Sequence, residues 1–95
     1  KAIPLGSMTD IHQYGRQLLS GKQPKEALEI FKMNFDKNPN QFTTLMGLTR
    51  GYSANGDYKN ALKYANLALA LAPDEQNKKS VQGIIEKLKA GKDVN

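Results

Sequence analysis

Apolar side chains recur every three or four residues along most of this chain, the spacing of an α-helix that buries one face. Turn-forming residues interrupt the pattern at four places, which are Gly21, Asn38 with Pro39, Asn55 to Asp57, and Pro73. The pattern predicts five helices and no strand. The predicted helices extend from Thr9 to Ser20, from Pro24 to the residue before Asn38, from Gln41 to Ala54, from Tyr58 to Leu71, and from residue 74 to residue 90. Either Ser7 or Thr9 is expected to cap the first helix.

The helical pattern repeats with a period of 34 residues. Seven residues have a counterpart 34 positions later: Ile11, Tyr14, Gly15, Leu18, Ala27, Phe31 and Pro39 correspond to Leu45, Leu48, Thr49, Tyr52, Ala61, Ala65 and Pro73. A fixed period of this length is typical of stacked helix–turn–helix units. We expect one unit over residues 8–41 and a second over residues 42–75. Residues 1–7 are expected to be the remnant of a preceding repeat or a linker.

The last predicted helix does not continue the repeat. The core positions of a third unit would fall on Lys79, Gln82 and Gly83. Its apolar residues instead form one stripe, made of Val81, Ile84, Ile85 and Leu88. This pattern favours a capping helix over residues 74–90 that covers the second unit and faces water on its other side. Residues 91–95 are expected to form a polar C-terminal tail.

The repeated pattern resembles the tetratricopeptide repeat. Two features differ from the family. Ile11 and Leu45 stand where a large aromatic residue often opens the unit, and Thr49 stands where Gly15 provides a small residue in the first copy. The resemblance implies an all-α helix–turn–helix repeat array, wound into an α-α superhelix with a concave groove. Such grooves bind proteins or peptides.

Three segments also resemble the C-terminal end of a bacterial protein family. They read IHQYGRQLL over residues 11–19, GYSANGDYKNALKYA over residues 51–65, and IIEKLKAGKDVN over residues 84–95. Members of that family are exported, carry a β-rich domain ahead of the repeats, and have no assigned function. This resemblance implies that the chain is one module of a longer protein that is periplasmic or secreted.

The chain has 95 residues and a net charge of +5. The lysines are scattered, without the block of like charges that marks a nucleic-acid-binding tail, so we expect no nucleic-acid partner. No apolar run approaches the roughly 20 residues needed to cross a bilayer, so membrane insertion is not expected. The sequence contains no cysteine, which excludes disulfides and thiolate metal sites.

On helical wheels of the first and third predicted helices, a second strip lies opposite the apolar face. It carries Thr9, His12, Gln13 and Arg16 in the first helix and Thr43, Met46, Gly47 and Arg50 in the third. The tetratricopeptide resemblance implies that this strip lines the concave groove. Two arginines at equivalent positions are suited to an acidic or C-terminal peptide; the alternative is that both side chains are simply solvated. The chaperone-tail carboxylate clamp is not expected, because its positions hold His12, Arg16, Gly47, Asn77 and Val81.

Catalytic chemistry is not indicated by the sequence. The chain has one histidine and no phosphate-binding glycine loop, so no enzyme activity, metal or cofactor is expected. The sequence therefore predicts a protein–protein interaction module. The alternative is a structural or dimerisation appendage of a larger protein. We also expect self-association through the N-terminal end, where Ile3 and Leu5 would lie near an exposed face of the first unit.

Overall fold

The computed structural model describes residues 6–95 and consists of helices joined by short turns, with no strand in that range. The helices are α1 (Met8–Ser20), α2 (Pro24–Lys37), α3 (Phe42–Ala54), α4 (Tyr58–Ala70) and α5 (Glu75–Lys89). The prediction of an all-α fold with five sequential helices is confirmed. Each helix begins and ends within about one residue of its predicted boundary. Residues 1–5, which include Ile3 and Leu5 of the predicted remnant, lie outside the described residues.

Side chains of the turns fix where three of the helices begin. Ser7 caps α1, since its hydroxyl accepts a hydrogen bond from the Asp10 N–H at 3.2 Å, and the Asp10 carboxylate accepts one from the Ser7 N–H. Ser7 is therefore the cap, and Thr9 lies inside the helix. Asp57 caps α4 and Asp74 caps α5 through equivalent bonds to the backbone three residues later. Each such cap stabilises a helix by about 1 kcal/mol.

Consecutive helices pack antiparallel around two groups of buried residues. The first group joins α1, α2 and α3, and contains Ile11, Leu18, Ala27, Ile30, Phe31 and Leu48. The second joins α3, α4 and α5, and contains Leu45, Met46, Ala61, Ala65, Ala68, Val81, Ile84, Ile85 and Leu88. Ala27 and Ala61 are fully buried. All four residues of the predicted apolar stripe of α5 are buried.

Helix α3 is the central element, because it packs against α1, α2 and α4. Its buried hydroxyl groups all have partners. Thr44 donates to the carbonyl of Asn38 at 2.7 Å, and Thr49 donates to the carbonyl of Leu45 at 2.9 Å. Among the described residues, no helix has the length and apolar character needed to cross a bilayer.

Candidate functional site

A cavity of about 290 Å³ lies between α1, α3 and α5. It brings together all seven side chains of the predicted groove, which are Thr9, His12, Gln13, Arg16, Thr43, Met46 and Arg50. The remaining lining residues are Phe42 at the start of α3 and Asn77, Ser80 and Val81 on α5. The α5 wall was not included in the predicted groove, although the comparison with the carboxylate clamp had placed Asn77 and Val81 at groove positions. The available signal was the apolar stripe of α5, whose Val81 is buried in the same group as Leu45 and Met46 of α3.

The buried ring of Phe31 on α2 lies against His12, one of the residues that line the cavity. A Cβ atom on Gly15 would lie 2.5 Å from this ring, and one on Gly47 would lie 2.7 Å from it. Both glycines therefore let α1 and α3 approach the ring closely. Gly47, which the sequence places on the outer strip, does not line the cavity: it is buried, and a Cβ on it would point toward Phe31 and His12. A helical wheel of α3 alone cannot show that α2 places the ring of Phe31 against the Gly47 side of the helix.

His12 packs on Phe31, with ring centroids 5.5 Å apart and planes tilted by 49°. Its Nδ1 atom is fully buried and has no hydrogen-bond partner among the described residues. A Cβ on Gly47 would lie 3.3 Å from Nδ1, so this nitrogen faces the backbone of α3. Nε2 is therefore the ring nitrogen that can contact a ligand in the cavity. Burial, then the charge of Arg16, then that of Arg50 lowers the pKa of His12 from 6.5 to about 4. The imidazole is neutral at pH 7.

Arg16 and Arg50 make the cavity positive. Arg16 is exposed and Arg50 is half-buried. Burial, followed by the charge of Arg16, lowers the pKa of Arg50 below its ordinary value. A guanidinium nevertheless remains protonated at neutral pH. The residues that line the cavity in the described part of the chain include no carboxylate, so neither charge is neutralised there.

The lining of the cavity offers two kinds of contact. Two guanidinium groups and the His12 ring offer hydrogen bonds to an anion. Phe42, Met46 and Val81 offer an apolar surface beside it. No nucleophile and base are paired among the lining residues. Within residues 6–95, no group of histidine and carboxylate side chains is arranged to hold a metal ion.

Comparison with models of known protein families, with curated proteins and with solved structures gives no match for this chain. A function must therefore be argued from the cavity and the helices that form it.

Proposed function

We propose that this chain is a tetratricopeptide-like repeat module that binds a peptide segment of a partner protein. The peptide would place an acidic group between Arg16 and Arg50, in the cavity between α1, α3 and α5. One observation carries this proposal. Two arginines at equivalent places in α1 and α3 line the same cavity, and no carboxylate lines it with them.

The turns between the helices support the repeat. Lys22 and Gly56 are 34 positions apart, and both have a left-handed backbone, with φ of 59° and 77°. The hydrogen bonds of the two turns also correspond. The Gln23 N–H donates to the carbonyl of Leu18 at 2.9 Å, and 34 positions later the Asp57 N–H donates to that of Tyr52 at the same distance. Lysine rarely takes a positive φ, so the shared geometry favours a common unit.

The size of the cavity supports a peptide rather than a small molecule. Sites for drug-sized ligands range from about 300 to 1,000 Å³, and this cavity is at the lower limit. It would hold one or two side chains of a ligand, while the rest of the ligand lies across the surface of α1, α3 and α5. An acidic side chain beside an apolar one matches the two parts of the lining.

Binding to defined peptides tests this proposal. Fluorescent peptides of about 12 residues, rich in Asp and Glu with interspersed Leu, are titrated with the protein and compared with basic and neutral peptides. We expect the acidic set to bind best, with an affinity that falls as salt is added. The double substitution Arg16→Ala with Arg50→Ala is expected to weaken binding at least several-fold, because charge-assisted hydrogen bonds are lost.

Two control variants separate specific contacts from net charge. Lys25→Ala with Lys63→Ala removes two positive charges from exposed positions of α2 and α4, outside the cavity lining, and should leave binding nearly unchanged. Arg16→Lys with Arg50→Lys keeps the charge but removes the planar fork of donors, and should weaken binding to an intermediate extent. Equal affinities for the wild type and the double alanine variant would exclude the cavity as the peptide-binding site. They would favour the alternative that this chain is a structural appendage of a larger protein.

A further inference from the structure

We propose that His12 is a specificity-determining member of this anion site, and that binding of an anion between Arg16 and Arg50 is coupled to uptake of a proton by His12. The site would then bind acidic ligands more tightly at mildly acidic pH than at neutral pH. The proposal rests on the proposed function for the identity of the ligand, and on the geometry around His12 for the coupling.

The surroundings of His12 explain why an anion would matter. The charged groups that face it are Arg16 on its own helix and Arg50 on α3, and both are positive. Phe31 of α2 lies against the ring, and α5 adds only the uncharged side chains of Asn77, Ser80 and Val81 to the cavity. Among residues 6–95, no negative group lines the cavity beside the imidazole in the unbound protein. An anion held by the arginines would be the first negative charge near Nε2.

The sign of the coupling follows from this arrangement. Burial and the two arginines lower the pKa of His12 to about 4, so the unbound protein carries a neutral ring down to that pH. A bound anion screens the arginines and attracts the imidazolium, which raises the pKa in the complex. If binding of the anion raises the pKa of His12, protonation of His12 must in turn tighten binding of the anion. The affinity therefore rises as the pH falls. A rise of about two pKa units would make the affinity at pH 5.5 about fourfold higher than at pH 7.5.

A purely structural histidine predicts a different behaviour. If His12 only packs on Phe31 and no anion is bound beside it, its pKa is set by burial and by the arginines and is the same in the two salts. The two cases can be separated in the wild-type protein without any substitution, because the chain contains a single histidine. Its ring proton signals in an NMR spectrum therefore report on His12 alone.

The experiment is an NMR titration of the His12 ring from pH 3.5 to pH 8, in sodium sulfate and in sodium chloride at equal ionic strength. Sulfate stays charged throughout this range. We expect the pKa in sulfate to exceed that in chloride by at least about half a unit. In the variant Arg16→Ala with Arg50→Ala, the pKa in chloride should rise, because the repulsion is gone, and the difference between the two salts should disappear. The same pKa in both salts for the wild-type protein would overturn the coupling.

Peptide affinities complete the test and keep the two proposals apart. The acidic peptides should bind the wild type about fourfold more tightly at pH 5.5 than at pH 7.5, whereas the affinity of His12→Gln should change little, since most peptide carboxylates stay ionised at pH 5.5. Binding that depends on the arginines but has no pH dependence would overturn the role of His12 and leave the proposed function standing. A sulfate-dependent pKa without peptide binding would support the coupling and overturn the peptide as the ligand.

Discussion

Phe31 is the residue on which the candidate site depends. Its ring is buried, and it is surrounded by Gly15 of α1 and by Gly47 and Gly51 of α3. His12 lies on the same ring. The position of the imidazole, and with it the shape of the cavity, is therefore set by a side chain of α2 that does not line the cavity itself. The absence of a Cβ on the neighbouring residues makes this arrangement possible.

The substitution Gly47→Ala tests this role of the glycines. Alanine improves helix propensity by about 1 kcal/mol. Its Cβ would lie 2.7 Å from the Phe31 ring, however, and overpacking of a core costs about 1–3 kcal/mol. Because the ring is enclosed, we expect a net destabilisation of about 1 kcal/mol in urea unfolding monitored by circular dichroism.

A matched control for this substitution is available on α5. A Cβ on Gly83 would meet nothing within 4 Å, so Gly83→Ala should stabilise the protein by about 0.5–1 kcal/mol. Opposite signs for the two substitutions would support close packing at Phe31. A stabilising Gly47→Ala would show instead that the ring moves aside at little cost.

At the scale of elements, the tail at residues 91–95 is attached to the end of α3. The buried hydroxyl of Ser53 donates to the Asp93 carboxylate at 2.6 Å and accepts from the Val94 N–H at 2.9 Å. The Asn95 side chain donates to the carbonyl of Arg50 at 2.8 Å. Val94 packs against the buried group formed by α3, α4 and α5. The tail therefore covers polar groups at the end of α3, next to a residue of the candidate site.

The substitution Ser53→Ala is expected to release this tail. It leaves the Val94 N–H without its acceptor and removes a donor to Asp93, and we expect a loss of about 1–2 kcal/mol at pH 7. The exposed Ser20 provides the control, since Ser20→Ala should change stability by less than about 0.5 kcal/mol. Equal effects of the two substitutions in thermal unfolding would mean that the tail contributes nothing to stability.

The pH dependence of this loss follows from the Asp93 carboxyl. Burial alone would raise its pKa, but hydrogen bonds from Ser53 and from the backbone and side chain of Asn95, with one from Val94, lower the pKa below 3.8. A carboxyl with a lowered pKa stabilises the folded state above its unfolded pKa, and this contribution is lost as the pH falls through the folded pKa. The difference in the free energy of unfolding between the wild type and Ser53→Ala should therefore be largest at pH 7 and should decrease below about pH 4.

At the scale of the whole molecule, periodicity and turn residues were sufficient to predict the helices. The turn from Asn55 to Asp57 and the break at Gly21 follow from local chemistry, which a sequence displays directly. The strip that carries Arg16 and Arg50 was also visible, because residues on one face of a helix recur at fixed spacing. The contact of Gly47 with Phe31 and the attachment of the tail to Ser53 were not visible. Each of them joins residues from different elements, and such contacts depend on packing that local patterns do not encode.

The two buried groups divide the molecule into halves that share α3. The main packing contacts join α1 to α2 and α3, α2 to α3, α3 to α4, and α4 to α5. In the described part of the chain, the residues that pack against both groups are half-buried aromatic residues, namely Phe35, Tyr52 and Tyr64. Two of these rings, Tyr52 and Tyr64, stack at 5.7 Å across α3 and α4. In an architecture with mainly neighbouring contacts, each half can open while the other stays folded.

Hydrogen exchange of a matched pair of variants tests this division. Ile11→Val removes one buried methylene from the α1–α2–α3 group, and Ile85→Val removes the same atom group from the α3–α4–α5 group. Each substitution lowers the free energy of opening by about 0.5–1.5 kcal/mol, which corresponds to about a two- to tenfold loss of amide protection against hydrogen exchange. We expect Ile11→Val to lower the protection of amides in α1 and α2 while those of α4 and α5 keep theirs, and Ile85→Val to do the reverse. If both variants lower protection equally in all the helices, the molecule unfolds as one unit and the aromatic contacts couple its halves fully. Separate responses would mean that α1, with His12 and Arg16, can leave the cavity wall while Arg50 stays in place.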